Sequence, residues 1–265
     1  MPILTSSSGG VTQIVLDNGP LNLLTPDLHR DLYQALRAFE ADGSARVAVL
    51  RGAGVRAFSA GDDIKRERAT LTPPQEVRRT LGARQGESVE DDQPGWDRDV
   101  LELRRNKPVI AAINGWCLGQ GFIYACRLAD IRIASCHAQF GLPEISYGMA
   151  GAAAMSGIMQ MLPRAIAMQI SLTGEPIDAE EARRCFLVNE VTEGDDAAPR
   201  ALAMAEKIAS HPPLALSAEM ETLSLSDLHD TARNYRLIRA IDRFQRLSSG
   251  QDAVPDRFRP DSAGQ

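Results

Sequence analysis

Between Val11 and Leu50 the hydrophobic period of this chain changes twice, and that change restricts what it can fold into. Val11 to Leu16 (VTQIVL) alternates apolar and polar side chains, as a strand with one buried face does. Asp17-Asn18-Gly19-Pro20 is a turn signal. Thr25-Pro26 then opens a helix: Thr caps, Pro takes the first position, and apolar residues recur at Leu28, Leu32, Leu36 and Phe39. Val47 to Leu50 (VAVL) returns to a short buried strand, ending at Gly52 and Gly54. Strand, helix, strand in this order implies a right-handed crossover and a parallel sheet, hence an α/β fold.

Further along, Arg66 to Asp99 is charged and broken by Pro73-Pro74 and Pro94-Gly95, and reads as an excursion of the kind that covers a pocket. Pro108 to Ile113 (PVIAAI) is a fully apolar strand. Gly115 to Gly121 is a glycine-punctuated turn, followed by an apolar helix from Phe122 to Leu128 and a strand from Ile131 to Ala134. Helices are expected at Gly151–Met161 and Ala165–Leu172, and Asp178 caps another that runs to Arg184. After Val191 the pattern is helical, at Ala198–Ser210 and from Ala215 to about Leu247, with little periodicity in the tail Gly250–Gln265. The expected organisation is an α/β core over residues 1–195 and a helical region over 196–265.

Composition excludes several classes of function. A net charge of −6 opposes a nucleic-acid partner, which requires a basic face to neutralise phosphates. Met1 to Gly10 lacks the basic and apolar regions of a signal peptide, and no apolar run approaches a membrane span, so a cytoplasmic location is expected. Cys117, Cys126, Cys136 and Cys185 lack CxxC spacing and read as reduced, mostly buried thiols. The four histidines form no HxH or HxxxH pair, so no metal site is expected.

Two segments carry chemistry. In Ala57-Phe58-Ser59-Ala60-Gly61-Asp62-Asp63-Ile64-Lys65, Gly61 frees the backbone to turn the next N–H toward a cavity, although a simple turn after a strand reads the same way. Asn114-Gly115-Trp116-Cys117-Leu118-Gly119-Gln120-Gly121 lies between an apolar strand and an apolar helix, whose free N–H groups would face whatever sits at the turn. It has no GK[ST] and does not match GxGxxG, so nucleotide loops are excluded.

The order FSAGDDIK, KPVIAAINGWCLGQG, ADIRIAS and AQFGLPE resembles the crotonase (enoyl-CoA hydratase/isomerase) family, over about Val11 to Val191. The resemblance implies a spiral of ββα turns with C-terminal helices that drive trimer formation. It implies an acyl-CoA thioester substrate, no cofactor beyond that coenzyme A, and a homotrimer or dimer of trimers. The family's two oxyanion-hole amides map to the backbone N–H groups of Asp62 and Gln120. Removing a proton beside a thioester, or adding a nucleophile across its enoyl form, places charge on the carbonyl oxygen. Two preorganised donors stabilise that charge, and losing one costs about 2.7–4 kcal/mol of barrier.

The family's hydratases use two glutamates. Glu144, in Gly141-Leu142-Pro143-Glu144, matches the second and is the expected proton shuttle; partial burial would raise its pKa toward neutrality. At the first position stands Ile123, or Tyr124 if the helix register differs, and neither is a carboxylate base. The resemblance places Ala60, Gly61, Ile64, Lys65, Trp116, Gly119, Gly121, Ile123, Tyr124 and Tyr147 around the substrate, with Lys65 toward the coenzyme A phosphates and Trp116 at the acyl chain or packed on the sheet. Asp63 holds its loop, His137 is expected at the surface, and Glu87 to Asp92 with Asp97 read as a solvated face. A covalent dehalogenase route lacks its Asp, since Ala152, Ala153 and Ala154 stand there. One carboxyl suffices for double-bond isomerisation; hydration requires that a tyrosine or loop carboxylate position water. C–C cleavage, decarboxylation, thioester hydrolysis and a non-catalytic acyl-CoA- or RNA-binding relative are the alternatives.

Overall fold

The computed structural model describes residues 2–65, 72, 95–148 and 161–226. Two sheets organise the first compact unit, Met1–Ala209. The larger sheet has β1 (Ile3–Ser8), β2 (Val11–Leu16), β3 (Val47–Gly52), β5 (Val109–Ile113), β7 (Ile131–Ser135) and β10 (Glu190–Thr192), in that spatial order. Only the β1–β2 pair is antiparallel. The smaller sheet has β4 (Ala57–Ser59), β6 (Trp116–Leu118), β8 (Gln139–Gly141) and β9 (Ile177–Asp178), parallel as far as β8. Each pass of the chain lays one strand in the large sheet and the next in the small one: β3 then β4, β5 then β6, β7 then β8. This is the ββα spiral.

Parallel strands need cover on both faces, which is why Val47–Leu50 of β3 and all of β5 are unbroken apolar runs. Ala48, Leu50, Val109, Ala111 and Ile113 enter the main apolar cluster with helix α1 (Pro26–Ala41). Their period-two neighbours Val47, Val49, Ile110 and Ala112 form a second cluster with Ala198, Ala201 and Ala205 of a helix at Ala198–Ala209. That helix therefore belongs to the first unit, which runs past the expected limit at residue 195. The Thr25 hydroxyl accepts from Leu28 N, as the Thr-Pro start requires. Leu28, Leu32 and Leu36 are fully enclosed, each contributing about 1.5–3 kcal/mol by burial.

Three differences from the sequence reading have physical causes. The Ser-rich N-terminus forms β1, whose side chains are almost all exposed, so it carries no period-two signal; its stability comes from pairing with β2. The turn at Gly115–Gly121 contains β6, which pairs with both β4 and β8. The following helix starts at Gln120, not Phe122. The other helices among the described residues of the unit are α2 (Trp96–Glu102), α3 (Gln120–Leu128), α4 (Arg164–Thr173), α5 (Ala179–Arg184) and α6 (Ala198–Ala209). Asp178 caps α5 by accepting from Glu181 N.

The second unit is Ser210–Gln265, of which helix α7 (Pro213–Ser226) is described. The expected helix at 151–161, save Met161, the acidic stretch 87–92 and the chain after Ser226 lie outside the described residues. Among the described residues no helix is long and apolar enough to cross a membrane. Cys117, Cys126 and Cys185 are buried free thiols and Cys136 is partly buried. Burial pushes the Cys126 pKa up to about 12, which keeps it an inert core group.

Candidate active site

The parallel strands β4, β6 and β8 end side by side, and the chain leaving each one carries a predicted site residue. Ligands in open parallel sheets bind beyond such carboxyl ends.

After β4, Ser59 Oγ accepts from Gly61 N at 3.2 Å, and Ala60 N donates to Leu21 O at 2.9 Å. Leu24 N donates to Gly61 O and Asp63 N to Leu24 O, both at 2.9 Å. Asp62 lies between those two bonds, so its own N–H faces away from Leu24 and takes no acceptor among the described residues. Gly61 has φ +93°. Asp63 Oδ1 accepts from Lys65 N at 3.1 Å, holding the loop as expected.

After β6, Gly119 takes φ 54° and ψ −129°, and Gln120 begins α3, where its N–H has no helical carbonyl behind it. Gly119 N donates to Gly141 O at 2.9 Å. The two glycine turns touch: a side chain on Gly61 would lie 3.4 Å from Gln120 N and 3.5 Å from Gly119 Cα. A side chain on Gly121 would lie 2.6 Å from Ser59 O, so this glycine lets α3 close on β4.

After β8, Pro143 starts a single 3-10 turn, Pro143–Tyr147, with Glu144 in its first positions. Glu144 Oε1 lies 2.9 Å from where a Gly119 Cβ would sit, and Oε2 is buried with no hydrogen-bond partner. Burial pushes the Glu144 pKa up; a bond to its own backbone offsets part of this and the Asp62 charge adds to it. Gln120 Nε2 is likewise buried and unpartnered. Of the seven such side-chain atoms among the described residues, these two belong to the turns that follow β6 and β8.

Of the other predicted residues, Ala60 is half-buried, Gly61, Gly119 and Gly121 are buried, and Lys65 is exposed. Ile64, Trp116 and Tyr147 are exposed large apolar side chains; Ile64 and Tyr147 follow the carboxyl ends of β4 and β8, whereas Trp116 opens β6 at the other end of the strands, paired with Ala57 and Gln139. Ile123 is buried in the main apolar cluster. Tyr124 is fully buried, and its hydroxyl is 2.6 Å from His29 Nδ1. His137 is exposed, 3.0 Å from Asp195, and with Cys136 these groups lie within 4.8 Å of one another at the surface.

His29 was missed. It occupies the face of α1 shared by Leu32 and Leu36, and a polar residue at that spacing in an apolar stripe was the available signal. Asn114 also emerges as a tie: it donates to Gly54 O (3.2 Å) and Asp196 Oδ1 (2.9 Å) and accepts from Ala197 N (2.9 Å). One amide thus joins the end of β5 to the loop after β3 and the start of α6.

Residues 6–243 match the family model described as enoyl-CoA hydratase/isomerase. The chain is 36% identical over 227 residues to an (E)-benzylidenesuccinyl-CoA hydratase of Thauera aromatica, covering 85% of this chain and 83% of that one. It is 31% identical over 256 residues to a carnitinyl-CoA dehydratase of Proteus mirabilis, covering 94% and 91%. Among solved structures, an enoyl-CoA hydratase subunit from Geobacillus kaustophilus superposes with a TM-score of 0.80 at 28% identity, covering 95% of this chain and 92% of that one.

Proposed function

The chain belongs to the enoyl-CoA hydratase/isomerase family, and from that premise we propose that it adds water to, or removes it from, an acyl-CoA thioester through an enolate. The thioester oxygen accepts from the N–H groups of Asp62 and Gln120, and Glu144 moves the proton at Cα. The observation that carries this reading is the contact of Glu144 with Gly119. It sets a carboxylate, with its pKa raised and one oxygen unpartnered, directly against the turn that presents the Gln120 amide. A carboxyl in that state can take a proton from carbon and return it near neutral pH. No cofactor beyond the coenzyme A of the substrate is needed. Lys65, exposed beyond the first turn, supplies charge to its phosphates.

Hydration or dehydration is favoured over bare isomerisation because the relatives at 36% and 31% identity are named as a hydratase and a dehydratase. Exposed Leu214 and Leu223 on α7 support assembly into a homotrimer or a dimer of trimers through the C-terminal region. Incubation with crotonyl-CoA and with 3-hexenoyl-CoA in deuterated buffer, read by mass spectrometry, tests the reading. Hydrated product with deuterium at Cα is expected, and Glu144→Gln should lower its formation by about 10²-fold or more. Unchanged activity in that variant would remove Glu144 from the mechanism.

A further inference from the structure

Three polar side chains from three different elements meet beside the candidate hole. Tyr124 lies one helical turn after Gln120, on the same face of α3. Its hydroxyl is 2.6 Å from His29 Nδ1 on α1 and 3.5 Å from Asp97 O on α2, so the imidazole is its dominant partner. The two rings meet edge to face, with centroids 5.6 Å apart. On its other side, His29 Nε2 lies 3.4 Å from Asp62 Oδ1. That approach is an ion-pair contact and not a hydrogen bond; an imidazole with its proton on Nε2 would leave Nδ1 to accept from the tyrosine hydroxyl.

Burial along this path is graded. Tyr124 is 0% exposed, His29 7%, and the Asp62 side chain 42%. A line of proton-exchanging groups, hydrogen-bonded from Tyr124 to His29 and in ion-pair contact from His29 to Asp62, can carry a proton from an enclosed hydroxyl to a solvent-facing carboxylate. The buried Gln120 amide stands beside the Tyr124 hydroxyl and interacts with it.

We propose that Tyr124, His29 and Asp62 form a proton wire that serves as the second proton-handling group of this site, in place of a carboxylate on α3. The proposal rests on the enolate reading above. Moving a proton between two carbons occupies Glu144 alone, whereas adding water also requires an acceptor for the water's proton. In hydration, the water oxygen bonds to Cβ and the Cα–Cβ π pair moves to form the enolate. The water's proton passes to the Tyr124 oxygen as the hydroxyl proton passes to His29 Nδ1. The Nε2 proton leaves through Asp62 to solvent; after product release the reverse transfer, from solvent through Asp62 and His29 to Tyr124 and on to water in the emptied site, restores the starting tautomer. The Glu144 carboxyl proton goes to Cα as the enolate collapses, and Glu144 is reprotonated from solvent. One water is consumed, and no other reagent is needed; dehydration is the reverse. Tyr124 is the group that meets the water, and His29 is a positioning and relay residue acting through it.

The test separates the two proton paths in the full-length protein. Hydration of crotonyl-CoA uses both, whereas exchange of the α-proton of butyryl-CoA into deuterated buffer uses only Glu144 and the hole. Tyr124→Phe keeps the ring and removes the hydroxyl; His29→Gln keeps a polar group of similar reach without a relay. Each is expected to lower hydration by about 10²-fold or more while exchange falls far less. Glu144→Gln is expected to lower both. A parallel fall of hydration and exchange in Tyr124→Phe and His29→Gln would make these residues structural supports and overturn the wire. Hydration retained in both variants would do the same. Absence of both reactions in the unsubstituted protein would refute the enolate reading and the wire with it. Should either variant fold poorly, a solvent-isotope titration of hydration in the parent protein decides: more than one proton in flight supports the wire, and a single proton overturns it.

Discussion

Replacing Gly119 with Ala tests the geometry of the site at its narrowest point. Gly119 sits at φ 54°, ψ −129°, a conformation essentially closed to residues with a Cβ. Forcing a methyl into it costs about 1–3 kcal/mol of stability. The same methyl would lie 2.9 Å from Glu144 Oε1, inside contact distance, so the carboxylate must move or the turn must rotate. Rotation swings the Gln120 N–H off the enolate oxygen, and loss of one such donor is worth about 2.7–4 kcal/mol of barrier, or 10²–10³ in kcat. Displacing Glu144 by about an ångström costs a comparable factor. The expected result is kcat on crotonyl-CoA lowered by at least about 10²-fold. A double-mutant cycle with Glu144→Ala isolates the clash. With the carboxylate gone, Gly119→Ala should destabilise less than in the parent, a coupling of at least about 0.5 kcal/mol by urea denaturation. If Gly119→Ala keeps kcat within about threefold, less than 1 kcal/mol of barrier, the turn is not the presenting element and the assignment of Gln120 fails.

Two further outcomes follow from particular contacts. Because burial raises the Glu144 pKa, the folded protein holds that proton more tightly than the unfolded chain. The group therefore favours folding below its unfolded pKa, and that contribution is lost as pH rises through the folded pKa. Glu144→Gln should accordingly gain stability relative to the parent as pH rises from the ordinary carboxylate range through the raised folded pKa; a difference in urea midpoint that does not change with pH would contradict the burial argument. Asn114→Ala strands the buried Ala197 N–H, while the exposed Gly54 carbonyl turns to water. At about 1–3 kcal/mol for a buried group left unpaired, a loss of about 1–3 kcal/mol is expected, seen as a lower urea midpoint with an unchanged slope.

The legible parts of this molecule are those whose cause is local. The turn that carries Glu144 could be read because a proline starts it, and the turns at Asp62 and Gln120 because glycines precede them. Thr25 declared the start of α1, and the apolar runs at β3 and β5 declared a sheet covered on both sides. His29 was not legible as a site residue because its partner Tyr124 is 95 positions away, and no local pattern encodes that meeting. The onset of α3 was read two residues late, since glycines on both sides of Gln120 look like a continuing turn. The strand β6 inside that turn exists because β4 and β8 both pair with it, a tertiary cause that leaves no mark on Trp-Cys-Leu.

The candidate hole takes one amide from each of two neighbouring turns of the spiral, and its width is set by the pairing of β4 with β6. Its reagent is therefore the main chain. Mutation can exchange the side chains at these two positions without deleting either donor, provided the adjoining glycines stay. Aspartate and glutamine are then free to acquire other duties, or to be replaced. A scaffold of this kind can diversify in what it accepts while inheriting the charge-stabilising step intact, because selection on specificity and selection on that step act on different atoms.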